Sequence, residues 1–111
     1  MSNAVTNFNE YRSRMNDKLL EGASMTLKRI FSLDNQAYKA GSLDVATKEL
    51  LGLVASMVLR CDDCVKYHLE NCRKNQVMEA LEIATVVGGS IVIPHLRRAY
   101  EYWEALETET T

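Results

Sequence analysis

The sequence predicts an all-α fold, a single-domain helical bundle, and three observations carry that expectation. Apolar residues recur at spacings of three and four instead of alternating. Only one proline, Pro94, and five glycines interrupt the 111 residues. Gly22, Gly41, Gly88 and Gly89 fall where a helical pattern bends or stops. No stretch reads as a strand.

Residues 8–40 carry Tyr11, Met15, Leu19, Leu20, Leu27, Ile30, Phe31, Ala37 and Tyr38 at helical spacing, which predicts two helices, or one bent near Gly22, ending before Gly41. Leu43-Asp44 opens the next helix, with Asp44 as the N-cap that accepts a first-turn amide. Its run through Leu50, Leu51, Leu53, Val54, Met57, Val58 and Leu59 is apolar on most sides, so it should be the buried helix. The segment after it is expected to stay helical to about Asn75, with Asn75-Gln76 as a turn. Residues 77–87 form the next helix and Gly88-Gly89 breaks it. The last, over 91–106, tolerates Pro94 near its first turn and lays Leu96, Ala99, Tyr100, Trp103 and Leu106 along one side. Its Tyr100, Tyr102 and Trp103 suit a core and a subunit interface equally. Residues 107–111 read as a frayed polar tail, which leaves one domain over 1–111.

With 47% hydrophobic and 25% charged residues, the composition is that of an ordinary globular protein. A net charge of -2 leaves no basic footprint for nucleic acid. No apolar run approaches the ~20 residues of a membrane helix, and the first residues lack a basic region followed by an apolar stretch. The expectation is a cytoplasmic protein without a membrane partner. In that compartment close cysteines are more often catalytic or metal-binding than structural.

The chemistry gathers in Arg60-Cys61-Asp62-Asp63-Cys64-Val65-Lys66-Tyr67-His68. Two cysteines so spaced can close a disulfide, ligate a metal, or share one thiolate, and an imidazole one helical turn beyond the second can take its proton. On a helix Cys61, Cys64, His68 and Cys72 line one stripe. A pair at the first turn can reach disulfide distance. Unpaired amides there lower a thiol pKa. Asp62 and Asp63 oppose that, and Arg60 and Lys66 partly offset them.

The competing reading is a helical oligomeric metal-binding or redox-sensing protein with Cys61, Cys64, His68 and Cys72 as ligands. Along one helix Cys61 and Cys72 would stand about 16 Å apart, and no glycine between them offers a knuckle. A third reading makes the cysteines small buried hydrophobes.

Lys48-Glu49-Leu50-Leu51, with Glu49 twelve residues before Cys61, then Cys61-x-x-Cys64-x-x-x-His68 and later Gly88-Gly89, resembles the carboxymuconolactone decarboxylase family. Within it the chain is similar to the AhpD-like alkylhydroperoxidase and disulfide reductase branch, over about 43–106. The resemblance implies an all-helical homo-trimer or homo-hexamer. It makes Cys64 the nucleophile, Cys61 its disulfide partner, and Glu49 with His68 a proton relay. The implied reaction reduces a disulfide or hydroperoxide, draws on a dithiol electron donor and needs no bound organic cofactor. In one unbroken helix Glu49 would lie about 22 Å from Cys64, so the relay requires a chain reversal near Leu59-Arg60.

Two departures bear on the activity. Asp63 stands where peroxidase members carry histidine, and members that decarboxylate the lactone generally lack the CxxC pair. Cys72 fits neither pattern and reads as packed. His95, after Pro94, reads as a surface residue or an interface hydrogen-bonder.

Overall fold

Side chains that accept first-turn amides mark where several helices begin. The computed structural model describes residues 3–109 and contains α1 (Ala4–Gly22), α2 (Met25–Ala37), α3 (Val45–Leu59), α4 (Asp62–Asn71), α5 (Lys74–Gly88), a 3₁₀ turn (Gly89–Ile91) and α6 (Ile93–Glu109). Ser24 Oγ accepts the Leu27 amide at the start of α2. Asp44 Oδ1 accepts the Thr47 amide at 2.8 Å at the start of α3, as expected. The opening of α1 is capped from the far end of the chain, where the Glu109 carboxylate accepts the Ala4 and Val5 amides at 3.0 and 2.9 Å. No strand occurs among the described residues.

The core lies where α3 packs on α4 and α5, α6 lies over α4, and α1 closes on α6. It is built from Leu53 and Met57 of α3, Val65 and Leu69 of α4, Val77, Leu81 and Ala84 of α5, and Val92, Ala99, Tyr102 and Leu106 on the α6 side. Phe8 of α1 meets the Tyr102 ring edge-on at 6.0 Å. Among the described residues no helix is long and apolar enough to cross a membrane.

Three expectations are corrected. The cysteine-bearing helix stops at Asn71 instead of running to about Asn75, because Cys72 and Arg73 are both extended, with ψ of 154° and 128°. Asn75-Gln76 therefore belongs to the first turn of α5. The C-terminal segment is helical through Glu109, held by its bonds to α1; Thr110 and Thr111 lie outside the described residues. And α3 is not buried all round, since Leu51, Val58 and Leu59 face outward, Leu59 at 78% exposure.

The required reversal falls at Arg60, which adopts the left-handed conformation, φ 58° and ψ 38°. Its amide donates to the Met57 carbonyl at 3.1 Å and the Cys61 amide to Ser56 at 3.0 Å, closing the end of α3. Glycine is the usual residue at such a helix end because it has no Cβ to clash. Arg60→Gly should therefore stabilise the oxidised protein by about 0.5–1 kcal/mol, and Arg60→Val destabilise it by about 1 kcal/mol. Denaturant midpoints read this directly; equal midpoints for all three proteins would mean the reversal carries no backbone strain.

Candidate functional site

Cys61 is the N-cap of α4, its Sγ accepting the Cys64 amide at 3.3 Å, so the sulfur takes the place a serine or aspartate oxygen usually holds. Asp62 and Asp63 occupy the first turn, where carboxylates favour a helix start. Asp62 is held in an ion pair by Lys66 at 3.1 Å. In this geometry Cys61 and Cys64 are joined in a disulfide, with Cα atoms 5.2 Å apart. The two sulfur residues differ in access: Cys64 is exposed and Cys61 half-buried.

The Arg60 reversal folds α4 back along α3 and brings together residues nineteen apart. Glu49 and His68, 5% and 7% exposed, meet through Oε1 and Nδ1 at 2.8 Å. A carboxylate only accepts, so Nδ1–H donates, and the neutral ring keeps its lone pair on Nε2. That nitrogen faces the Tyr38 hydroxyl at 3.3 Å. The imidazole stands between two phenol rings, Tyr38 and Tyr67, each with its centroid 5.3 Å away.

Beside the disulfide lies a cleft of about 180 Å³ lined by Arg12, Asp34, Asp63, Cys64, Tyr67 and His68. The Arg12 guanidinium lies over the Tyr67 ring at 4.2 Å and supplies a cation at its rim. The cleft is open to a sulfur, an imidazole and two carboxyl groups at once, which suits a small polar reactant or the end of a larger one.

Cys61, Cys64, His68 and Glu49 therefore converge on one corner of the fold. Cys72 does not line the cleft: it is the C-cap at the opposite end of α4, near enough to Glu49 to feel its charge. Burial, with a smaller push from Glu49, lifts its thiol to about 12, leaving it protonated and packed. Among the described residues no group of three or more His, Cys, Asp and Glu side chains is placed to hold one metal ion, so the ligand set of Cys61, Cys64, His68 and Cys72 does not assemble. His95 is buried and not at the surface; its Nε2 stands 3.8 Å from Asp62 Oδ1, beyond hydrogen-bond distance. Burial lowers its pKa and Asp62 counteracts this.

Tyr38, Gly52 and Arg12 escape the reading of motifs, and Lys48 enters it only as part of a pattern. One signal was available: a glycine in the middle of α3, among strong helix formers, costs about 1 kcal/mol relative to alanine and so asks for a reason.

The carboxymuconolactone decarboxylase family model matches residues 26–105, which takes in α2 as well as the cysteine motif. A solved protein of that family from Thermotoga maritima, for which a part in an antioxidative response has been suggested, is 52% identical over 92% of this chain and 91% of its own, with a TM-score of 0.86. A family protein from Legionella pneumophila shares the fold at 22% identity, over 94% of this chain and 97% of its own, with a TM-score of 0.83. An uncharacterized protein of Cupriavidus necator is 32% identical over 75 residues, 63% of this chain and 66% of that protein, so the chain spans just under two thirds of that relative. With its helices, its CxxC pair and the match over residues 26–105, the chain belongs to the carboxymuconolactone decarboxylase family.

Proposed function

We propose that the protein is a thiol–disulfide oxidoreductase in which Cys61 and Cys64 cycle between dithiol and disulfide, reducing a disulfide or a hydroperoxide. The observation that supports this most is the pairing of an exposed Cys64 with a half-buried Cys61 at a helix N-terminus, beside a buried carboxylate–imidazole pair. The amides and positive end of α4 stabilise a thiolate there.

In the dithiol form His68, oriented by Glu49, takes the Cys64 proton. The Cys64 thiolate attacks one sulfur of a substrate disulfide, forming a mixed disulfide and releasing a thiolate that recovers the proton. The Cys61 thiolate then attacks Cys64 Sγ, releases the second substrate thiol and closes Cys61–Cys64. Two electrons pass to the substrate, and an external dithiol returns them. With a hydroperoxide, Cys64 attacks the terminal oxygen, an alcohol leaves, and Cys61 resolves the sulfenic acid with loss of water. Asp63 occupies the cleft where peroxidase members of the family carry histidine, so disulfide reduction is the favoured arm.

The active form is a homo-oligomer, a trimer or hexamer. No residue of α2 is buried in its own subunit, and Met25, Ile30 and Leu33 stand 55–63% exposed. Outward Leu51 and Leu59 on α3 and Ile83, Val86 and Val87 on α5 add apolar surface that self-association removes from water.

Cys61→Ser and Cys64→Ser should each lower turnover in dithiol-coupled disulfide and hydroperoxide assays by about a hundredfold or more; full activity in both would overturn the proposal. His68→Ala should raise the pH midpoint of Cys64 alkylation in reduced protein by about one unit, and an unmoved midpoint would remove His68 from the mechanism. Light scattering of the native chain should give a trimer or hexamer, and Ile30→Asp with Leu33→Asp a smaller species. A native monomer would refute the assembly.

A further inference from the structure

Gly52 lies on the face of α3 that carries Glu49, one turn away, and its missing side chain is explained by what presses on it. A Cβ there would come 2.6 Å from His68 Cε1, 2.6 Å from the Tyr38 hydroxyl and 2.7 Å from His68 Nε2. The Tyr38–His68 contact fills the space that any other residue would need. The Lys48 ammonium donates to the carbonyls of Ala37 and Lys39 at 2.9 and 2.6 Å, gripping the backbone on both flanks of Tyr38. Two consecutive turns of α3 thus hold in place a residue that belongs to the end of α2, a helix with no buried residue of its own.

We propose that Tyr38 is a positioning residue for His68: its hydroxyl donates to Nε2, holds the imidazole in the Nδ1–H tautomer, and competes with the Cys64 thiol for the nitrogen that takes the proton. The contact of 3.3 Å is at the long end of hydrogen-bond distances, loose enough to be exchanged for a thiol. Both ring nitrogens have partners in the disulfide form, Glu49 and Tyr38, and neither partner is sulfur. The base is therefore occupied until a reduced Cys64 competes for it. Around the pair stand Asp34 of α2, Glu49 of α3, and Tyr67 and Asp63 of α4, with Arg12 of α1 at the cleft rim. Burial, followed by the negative charges of Asp34 and Glu49, raises the Tyr38 pKa and keeps its phenol a donor.

This inference rests on the thiol–disulfide reading for its consequence, but its first test does not depend on turnover. In oxidised protein with 15N-labelled histidine, Tyr38→Phe should move the His68 Nε2 resonance downfield, toward an unbonded imidazole nitrogen, with Nδ1 still protonated. An unmoved Nε2 resonance overturns the proposal even if both cysteine variants are inactive. In reduced protein, Tyr38→Phe should lower the alkylation midpoint of Cys64 by about half a unit, because a competitor worth one ordinary hydrogen bond is gone. A midpoint unchanged or raised, as expected from a ring merely knocked loose, also overturns it. Gly52→Ala supplies the independent arm. It should lower the unfolding midpoint despite alanine's higher helix propensity, and lower it less in a Tyr38→Phe background, where the hydroxyl is absent. Equal losses in the two backgrounds would mean that Gly52 does not serve the pair.

Discussion

The hydrogen bond between Glu49 and His68 is the constraint on which the rest of the site depends. A buried carboxylate without a partner is among the costlier things a core can hold, and Glu49 is buried in the helix that supplies the centre of the core. Its partner must come from another element, and only a chain that doubles back within a few residues of Leu59 can deliver His68 to it. Arg60, in the left-handed conformation, makes that turn. The same turn leaves Cys61 as the N-cap of the next helix, with its sulfur accepting the Cys64 amide. One backbone reversal thus places the His68 imidazole against the Glu49 carboxylate and the cysteine pair at a helix start.

In the proposed cycle the two cysteines take different roles from their positions, not from their residue type. Cys61, at the N-cap, is half-buried and hydrogen-bonded through sulfur to the first turn. Cys64, one turn in, is exposed at the cleft. Attack on an external sulfur or oxygen needs access, whereas resolution needs only proximity to Cys64, so the outer residue suits the first step and the inner one the second. Cys72 shows the contrast: the same thiol at the C-terminal end of α4, packed in the core, is held protonated by burial.

What the sequence made legible were features whose causes are local. Asp44 caps α3 because its side chain reaches an amide three residues on, and Gly88-Gly89 ends α5 because Gly89 takes a positive φ. The cysteine spacing alone licensed a first-turn disulfide, whereas Glu49 entered only through family resemblance, since nothing within its own helix marks it. The end of α4 was misplaced because neither glycine nor proline stands there; Cys72 leaves the helix to enter the core, a demand of packing that no local signal announces. Tyr38 is illegible because its partner is thirty residues away, and Gly52 is legible only as a glycine that costs its helix, its reason emerging once its neighbours across the helix are known.

The position of α2 ties the site to the outside of the fold. A helix of thirteen residues with no buried side chain has little within its own chain to fix it, and isolated helices of this length are marginal in water. Its C-terminal end, however, is fixed: Lys48 grips the carbonyls on either side of Tyr38, and Tyr38 reaches the imidazole. The remainder presents Met25, Ile30 and Leu33 outward. Whatever covers that apolar face also stabilises the helix that carries Tyr38, and with it the hydroxyl at His68 Nε2. In the proposed oligomer the covering surface is a second copy of the chain, whose outward Leu51, Ile83 and Val86 on α3 and α5 match it in chemistry, apolar against apolar. In that oligomer, assembly and the state of His68 share one structural element, so a change that loosens α2 should be felt at the thiol before it is felt in the core.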